Sequence, residues 1–445
     1  MFRDRRRLAR RLRIAAAGVS LGIAAAGFSG LCGAAAKLLG LQLVPALATL
    51  FAAFSAGAFF SVAGVAAATF LFGRFYCSVI CPFGILQEVL GAVLPKCGKS
   101  APPNLPLLRY TVAGTVYGAL AAGWCGGLLL LDPYSNFGRI LVPFSAGGAI
   151  SLAVIVALVI WKRRIFCTAV CPAGTLLGVA AARGIFRLTV SDRCLRCGKC
   201  LRGCPAGCID LATKTIDNER CLRCLKCMAE CPVGCIGFSA VRKKSVPEDA
   251  SRRAFLLRCA ALAAGALAGG SFLPGLMKRS AAKLRILPPG AGDAERFAAR
   301  CTACQLCVAN CPEKIIVPAP GGAGPVSLDP ENGKCRFDCN RCSQLCPTGA
   351  LIPLSLARKQ HTRIGVARID LARCVVVRNG EPCGECARAC PVDAIGLQKE
   401  GIPKPIDGTR CIGCGACRAA CPAFPDKAIE VMPVEKQEQT GNDGE

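Results

Sequence analysis

Residues 194–205 read Cys194-Leu-Arg-Cys197-Gly-Lys-Cys200-Leu-Arg-Gly-Cys204-Pro205, and residues 221–232 repeat the pattern as Cys221-Leu-Arg-Cys224-Leu-Lys-Cys227-Met-Ala-Glu-Cys231-Pro232. This C-x-x-C-x-x-C-x-x-x-C-P spacing is that of bacterial ferredoxins, whose thiolates hold cubane iron–sulfur clusters. Two residues between thiolates let a short loop wrap one face of a cube, with backbone N–H groups free to point at its sulfurs. Two further runs keep the spacing: Cys301, Cys304, Cys307 and Cys311-Pro312, and Cys411, Cys414, Cys417 and Cys421-Pro422. Two looser runs lie between them: Cys335, Cys339, Cys342 and Cys346-Pro347, and Cys374, Cys383, Cys386 and Cys390-Pro391. These twenty-four cysteines imply six [4Fe–4S] clusters and a chain that moves electrons. Disulfide frameworks belong to short secreted chains, whereas this one has 445 residues. Zinc sites use two C-x-x-C pairs or admit histidine, and lack the Cys-Pro ending.

Composition narrows the class. The chain has one histidine, His361, in a basic polar stretch that reads as solvated surface, and no C-x-x-C-H, which excludes haem. Hydrophobic residues make up 53% of the chain, high for so cysteine-rich a protein. The formal charge of +27 falls to about +15 once six cubanes of about −2 are counted. Its basic runs flank apolar segments, which points to membrane topology and not to nucleic acid.

Working outward from the cysteines, residues 1–185 read as an α-helical membrane domain. MFRDRRRLARRLR, with seven arginines, precedes an apolar stretch from Ile14 to about Ala36. A second ends at Phe72, a third runs from about Leu107 to Leu131, and a fourth from Ile140 to Trp161, each supplying the ~20 residues of a span. Arg74, Lys96, Lys99 and Arg109 lie between spans two and three, and Lys162, Arg163 and Arg164 follow span four. Lys37 and Arg139 are nearly alone on the opposite side. The positive-inside rule then puts the N-terminus in the cytoplasm.

A repeat is hidden there. Arg74-Phe-Tyr-Cys77-Ser-Val-Ile-Cys81-Pro82-Phe-Gly84-Ile-Leu86 matches Arg164-Ile-Phe-Cys167-Thr-Ala-Val-Cys171-Pro172-Ala-Gly174-Thr-Leu176, ninety positions on. If the halves form a pseudo-two-fold, Cys77, Cys81, Cys167 and Cys171 make a further redox or metal site. Reversible disulfides or contacts to a partner subunit are the competing readings. Asp132, at the outer end of span three, reads as an interfacial helix-end residue or as an acceptor of quinol protons. Glu88 reads as solvent- or partner-facing.

Residues 186–240 form a two-cluster ferredoxin domain of α+β type, cytoplasmic because no further apolar span separates it from the cytoplasmic end of span four. The fourth cysteine of each run serves the other cluster in such folds, so Cys194, Cys197, Cys200 and Cys231 hold one cube and Cys221, Cys224, Cys227 and Cys204 the other. Cys208 and Cys235, where other runs carry Ala350 and Ala394, read as small packing residues, as do the isolated Cys32, Cys97, Cys125 and Cys259.

Residues 241–287 hold Ser251-Arg252-Arg253-Ala254-Phe255-Leu256 and an apolar stretch, the pattern of a twin-arginine export signal or of a fifth helix. Ala266-Leu267-Ala268 is an A-x-A cleavage candidate. Either reading sends residues 288–433 outward as a four-cluster ferredoxin domain. Its regular outer runs and irregular inner runs suggest nested pairing, outer with outer and inner with inner; tandem pairing is the alternative. Residues 434–445 read as a disordered tail.

On these motifs, residues 1 to about 240 resemble the NapH/MauN type of membrane ferredoxin protein. Residues from about 250 to 433 resemble the NapG/MauM type, the two fused here in one polypeptide. The resemblance implies a quinol dehydrogenase that feeds a periplasmic reductase or cytochrome from the inner membrane. A maturation or redox-sensing factor for a periplasmic redox enzyme is the alternative. Membrane lipid and quinone are the expected small partners. A direct hop across ~30 Å of hydrocarbon is too slow, so membrane quinol is the expected go-between.

Overall fold

The structure is a computed structural model that describes residues 2–52, 55–94, 102–125, 131–141, 146–240, 248–272, 285–319, 324–398 and 401–440. The chain opens on α1 (Phe2–Phe28), whose 27 residues extend about 40 Å. The second apolar region is not one rod. It forms α2 (Gly33–Leu39) and α3 (Leu43–Ala52), bent by 65°, and then α4 (Ala56–Phe72). Two helices among the described residues are long and apolar enough to cross a membrane, Asp4–Phe28 and Arg252–Ser271, and the bent pair makes a third if counted as one span. The expected third and fourth spans appear as α7 (Pro106–Ala121) and a helix Ala146–Lys162, of 16 and 17 residues. Both fall short of the ~20 residues a lone crossing needs. Parts of those two regions lie outside the described residues. Large apolar side chains nevertheless face outward along these helices, including Val19, Phe60, Ile150, Trp161 and Leu267, the surface a lipid-facing bundle presents.

The signal-like helix (Glu248–Leu267) lies along α7 with backbones nearly touching. A Cβ at Gly114 or Gly118 would overlap the carbonyl oxygens of Leu262 and Ala266, and one at Gly265 or Gly269 those of Thr111 and Thr115. Each helix thus lends a Gly-x-x-x-Gly pair to the other, the small-residue contact that joins helices in lipid.

Six of the Cys-Pro dipeptides share one backbone conformation. Cys81, Cys171, Cys204, Cys231, Cys346 and Cys421 all have φ between −63° and −74° and ψ between 110° and 124°. The proline ring forbids the helical region to the residue before it. In the ferredoxin runs this ends a short helix. In the N-terminal helical region it separates the short α5 (Tyr76–Val79) from α6 (Pro82–Val93) and starts the latter, as it starts Pro172–Ala182, with proline at the first helical position where its missing N–H costs nothing.

In the first ferredoxin unit β1 (Phe186–Val190) pairs antiparallel with β4 (Ile236–Ala240), Leu188 opposite Phe238, while β2 (Ile209–Asp210) pairs with β3 (Thr215–Ile216). The outer pair brackets both cysteine runs. At the C-terminus β5 (Ile316–Val317) pairs with β6 (Ser327–Leu328). There β7 (Gly365–Ile369) pairs with β8 (Ile429–Pro433) and brackets the runs at Cys374 and Cys411 as β1 and β4 do. The expected disordered tail is ordered as far as residue 440. Gln437 donates to the carbonyls of Leu287 and Pro288 and accepts from the N–H of Gly290, because its side chain supplies the partners those backbone groups lack. Residues 441–445 lie outside the described residues.

The two ferredoxin regions sit at opposite ends of α1. Arg6 lies against Gly234 of the first unit. At the other end Asn310 donates to the carbonyl of Gly27 at 3.2 Å, and Thr49 to that of Pro347 at 2.8 Å. Glu219 fastens the first unit to the helices, paired with Arg109, with Arg258 of the signal-like helix at 3.4 Å, and with the Tyr110 hydroxyl.

Candidate iron–sulfur sites

The local backbone explains why the regular runs curl. In each, the residues on either side of the middle cysteine take positive φ: Arg196 and Gly198, Arg223 and Leu225, Ala303 and Gln305, Gly413 and Gly415. Alternating left- and right-handed residues turn successive N–H groups inward and form a nest for negative charge. Five of these eight residues are not glycine, a conformation that persists only where the surroundings enforce it. The looser runs lack this arrangement, which agrees with their altered spacing.

The curls bring the expected quartets together in the first unit. Cys204 joins Cys221, Cys224 and Cys227 around one cavity walled by Leu188, Ile209, Ile216 and Leu222. Cys200 feels the charges of Cys194, Cys197 and Cys231. Cys208 and Cys235 are buried, as are Ala350 and Ala394 in the corresponding places. They do more than pack: Cys208 Sγ lies 3.5 Å from Cys204 Sγ, and Cys235 Sγ 3.3 Å from Cys231 Sγ. Contact with the Cys208 thiol is the main cause that lowers the pKa of both Cys204 and Cys221, favouring the thiolates a cluster needs.

In the C-terminal domain the pairing is tandem, not nested. Cys346 closes a cavity with Cys301, Cys304 and Cys307, and Cys311 closes another with Cys335, Cys339 and Cys342. Cys390 joins Cys411, Cys414 and Cys417. Cys421 shares a core with Cys374 and Cys386, and Cys386 feels Cys383 and Cys374. Loop closure favours this: tandem pairing joins neighbouring runs, whereas nested pairing closes a far longer loop. Backbone N–H groups reach ligand sulfurs, Leu351 to Cys346 and Ala394 to Cys390, each at 3.3 Å.

These residues fit cubanes. Every quartet offers free thiols, and those completed by Cys204, Cys311, Cys346 and Cys390 surround small, mostly apolar cavities. No group of three or more His, Cys, Asp or Glu among the described residues converges tightly enough for a single ion. Thiolates bound to different corners of one cube stay apart by construction.

The C-x-x-x-C-P elements meet within the N-terminal helical region. Cys77, Cys81, Cys167 and Cys171 are all buried, all free, and near enough that Cys171 feels each of the other three. The repeat is a true pseudo-two-fold. Arg74 donates to the carbonyl of Cys167 at 2.8 Å, and Arg164 to that of Cys77 at 3.4 Å. A Cβ at Gly84 would overlap the Cys77 carbonyl oxygen, and one at Gly174 would crowd Arg74 and the Cys167 carbonyl. Gln87 donates to Cys167 Sγ at 3.2 Å, a contact that no spacing in the chain announces.

Other single residues refine the expectations. Asp132 is buried and caps the helix Pro133–Leu141, accepting from the N–H groups of Tyr134 and Ser135 at 3.0 and 2.9 Å. Glu88 is engaged inside the chain by Arg13 and by Arg164 at 3.8 Å, with its side chain 33% exposed. His361 is exposed, as its polar neighbours suggest. Cys125 is buried, Cys32 and Cys259 are exposed, and Cys97 lies outside the described residues.

Family comparisons agree with this geometry. A family described as a 4Fe-4S binding domain matches residues 54–99 and again 144–189, one match on each C-x-x-x-C-P element. Families described as 4Fe-4S dicluster domains match residues 186–232, 300–351 and 381–424. The fold and the cysteine quartets therefore define a ferredoxin-type iron–sulfur protein. Among relatives, the methylamine utilization ferredoxin-type protein MauM of Methylobacillus flagellatus is 34% identical over 186 residues, covering 38% of this chain and 77% of the relative. Ferredoxin-type protein NapF of Escherichia coli K12 is 31% identical over 140 residues, covering 31% and 80%. Ferredoxin-type protein NapG of the same strain is 28% identical over 211 residues, covering 43% and 89%. The chain belongs to this family of MauM- and Nap-type ferredoxin proteins. No solved structure matches it.

Proposed function

We propose that this chain is an inner-membrane quinol dehydrogenase. It takes electrons from quinol beside its helical domain and passes them through C-terminal [4Fe–4S] clusters to a periplasmic reductase or cytochrome. Residues 1–240 act as a NapH/MauN-type membrane part and the remainder as a NapG/MauM-type exported part. The twenty-four cysteines of the six runs ligate six cubanes. Each quinol gives up two electrons singly to one-electron centres and releases two protons.

The carrying observation is the placement of the two ferredoxin regions at opposite ends of α1, with outward-facing apolar helices between. The positive-inside pattern supports a cytoplasmic N-terminus and first ferredoxin domain, and the twin-arginine motif supports a periplasmic C-terminal domain. The glycine contacts with α7 support a signal helix that stays in the membrane as an anchor. Four spans plus this anchor complete the proposed topology.

Anaerobic addition of a quinol analogue to purified full-length protein tests the reading, with bleaching of the cluster absorbance expected. Intact clusters that stay oxidised would transfer the reading to a maturation or sensing role.

A further inference from the structure

The membrane domain holds four buried thiols and two buried guanidiniums that the six-cluster reading leaves without work. We infer that Cys77, Cys81, Cys167 and Cys171 together ligate a seventh [4Fe–4S] cluster, which relays single electrons between the first ferredoxin unit and the C-terminal domain. The inference rests on the reading of the other quartets as cubane sites in a membrane-spanning chain. It does not depend on quinol as the donor.

Charge is the first argument. Arg74 is fully buried and Arg164 is 2% exposed. Arg74 meets no carboxylate: it donates to the carbonyls of Glu219 and Cys167 and lies 3.8 Å from Cys77 Sγ. Glu88, 3.8 Å from Arg164, is already engaged by Arg13. The Nε atoms of both arginines and Oε1 of Gln87 are buried without hydrogen-bond partners. An uncompensated buried cation is costly. An oxidised cube with four thiolates carries about −2, the charge two guanidiniums balance. Two disulfides would leave Arg74 without an anion and Arg164 with only the Glu88 it shares with Arg13, and a lone metal ion would demand a tighter convergence of ligands than the described residues offer.

Symmetry is the second. Each half supplies two cysteines, one arginine aimed at the other half, and one glycine that makes room for that arginine. Such reciprocity serves a ligand on the pseudo-axis better than two separate thiol pairs.

Placement is the third. One continuous buried cluster contains Cys200, Cys204, Cys221, Cys227 and Cys231 of the first unit and all four membrane cysteines; it runs on through Phe28, Tyr134 and Phe137 to Leu306, with Cys304 packed against it. The Ser78 hydroxyl, next to Cys77, lies 3.5 Å from the carbonyl of Arg223, next to Cys224. At the far end a Cβ at Gly138 would overlap both the Cys304 carbonyl oxygen and the Phe28 ring. Helix α1 serves as a ruler, touching Gly234 at Arg6, Ser78 at Arg13 and the Gly138–Cys304 contact at Phe28. At 1.5 Å per residue the four-cysteine site divides the path into about 10 Å and about 22 Å along the axis. The crossing that looked too long for a direct hop thereby has an intermediate station.

In each transfer one electron leaves a cluster of the first unit, which is oxidised by one unit as the membrane cluster is reduced. A second transfer passes that electron on toward the cluster beside Cys304. No bond forms and no proton moves.

Iron and acid-labile sulfide are counted on anaerobically purified full-length protein and on Cys77→Ser/Cys167→Ser, with Cys32→Ser as control. About 28 irons are expected for the native chain and the control, against about 24 for the double variant, from four irons per cube. The ferredoxin signals of the double variant, read by electron paramagnetic resonance, report whether it folds. A native count of about 24 with all four thiols open to alkylation overturns the site. For the relay, the proteins are sealed in vesicles with the first ferredoxin unit outward and given a membrane-impermeant sulfonated viologen reductant. Bleaching of all clusters is expected in the native chain and of the outer pair alone in the double variant. Equal bleaching of both overturns the relay. Neither arm contains quinol, so the quinol reading stands or falls separately.

Discussion

Arg74 crosses the internal repeat to donate to the carbonyl of Cys167 at 2.8 Å, and its counterpart ninety positions on, Arg164, returns the contact to Cys77. Burial works against the charge on Arg74, and the thiolates of Cys77, Cys167 and Cys171 more than offset it, so its pKa is raised. Arg74→Gln removes the charge and keeps a donor. A loss of roughly 3 kcal/mol is expected, as for a broken buried ion pair. Chemical denaturation of the cluster-loaded protein reads it, together with a fall in one cluster's midpoint potential. Unchanged stability and potential would show that no negative group sits there.

Tandem pairing makes a countable prediction. Cys301→Ser/Cys346→Ser should lose about four irons, one cube, whereas Cys301→Ser/Cys421→Ser should lose about eight. Nested pairing reverses the two results, and iron analysis decides.

The thiols of Cys208 and Cys235 touch ligand sulfurs, so Cys208→Ala and Cys235→Ala should keep every iron while lowering the midpoint potential of one cluster each. The expected effect is of order 0.5 kcal/mol, the lower end for a neutral hydrogen bond. Spectroscopic redox titration would reveal a purely packing role by an unmoved potential.

The glycine seam between α7 and the signal-like helix predicts that the helix is retained. Intact mass of the membrane-extracted protein should match the full 46.2 kDa chain plus its cofactors, not a product cut after Ala268. Gly118→Leu should destabilise the bundle by about 1–3 kcal/mol through overpacking, read as a lowered thermal midpoint. A chain cut after Ala268 contradicts retention.

Burial would raise the pKa of Glu88, yet the hydrogen bond from Arg13 and the charge of Arg164 bring it below the ordinary carboxylate value. A depressed folded-state pKa contributes stability above the unfolded-state value, and that contribution is lost as pH falls through the folded one. Acid titration of stability should therefore show a component below the usual glutamate range that is missing in Glu88→Gln. Identical profiles would remove the pair from the account.

Much of the site was legible in spacing alone. The structure gathers Cys204 with Cys221, Cys224 and Cys227, and Cys231 near Cys200, as the expected exchange between the runs at Cys194 and Cys221 has it, because loops this short leave a side chain few places to go. The pairing at the C-terminus was not legible, since a motif records its own spacing and not which neighbour closes it; there β7 and β8 decide. The ion pairs of Glu88 with Arg13 and Arg164 were not legible, because a lone carboxylate looks solvent-facing until the packing that surrounds it is known. The length of the apolar stretches was visible, while the 65° bend between α2 and α3 was not.

Sequence by itself determined what is short-range. Cysteine spacing selects cubanes, proline fixes the backbone before it, and glycine every fourth residue lets two helices touch. Tertiary structure alone decided what depends on convergence. Cys77 and Cys167 stand ninety residues apart, and only the pseudo-two-fold packing turns two unremarkable pairs into one buried, arginine-flanked site. The physical reason is range: dihedral preferences act over a few residues, whereas a buried charge is settled by whatever the whole fold brings beside it.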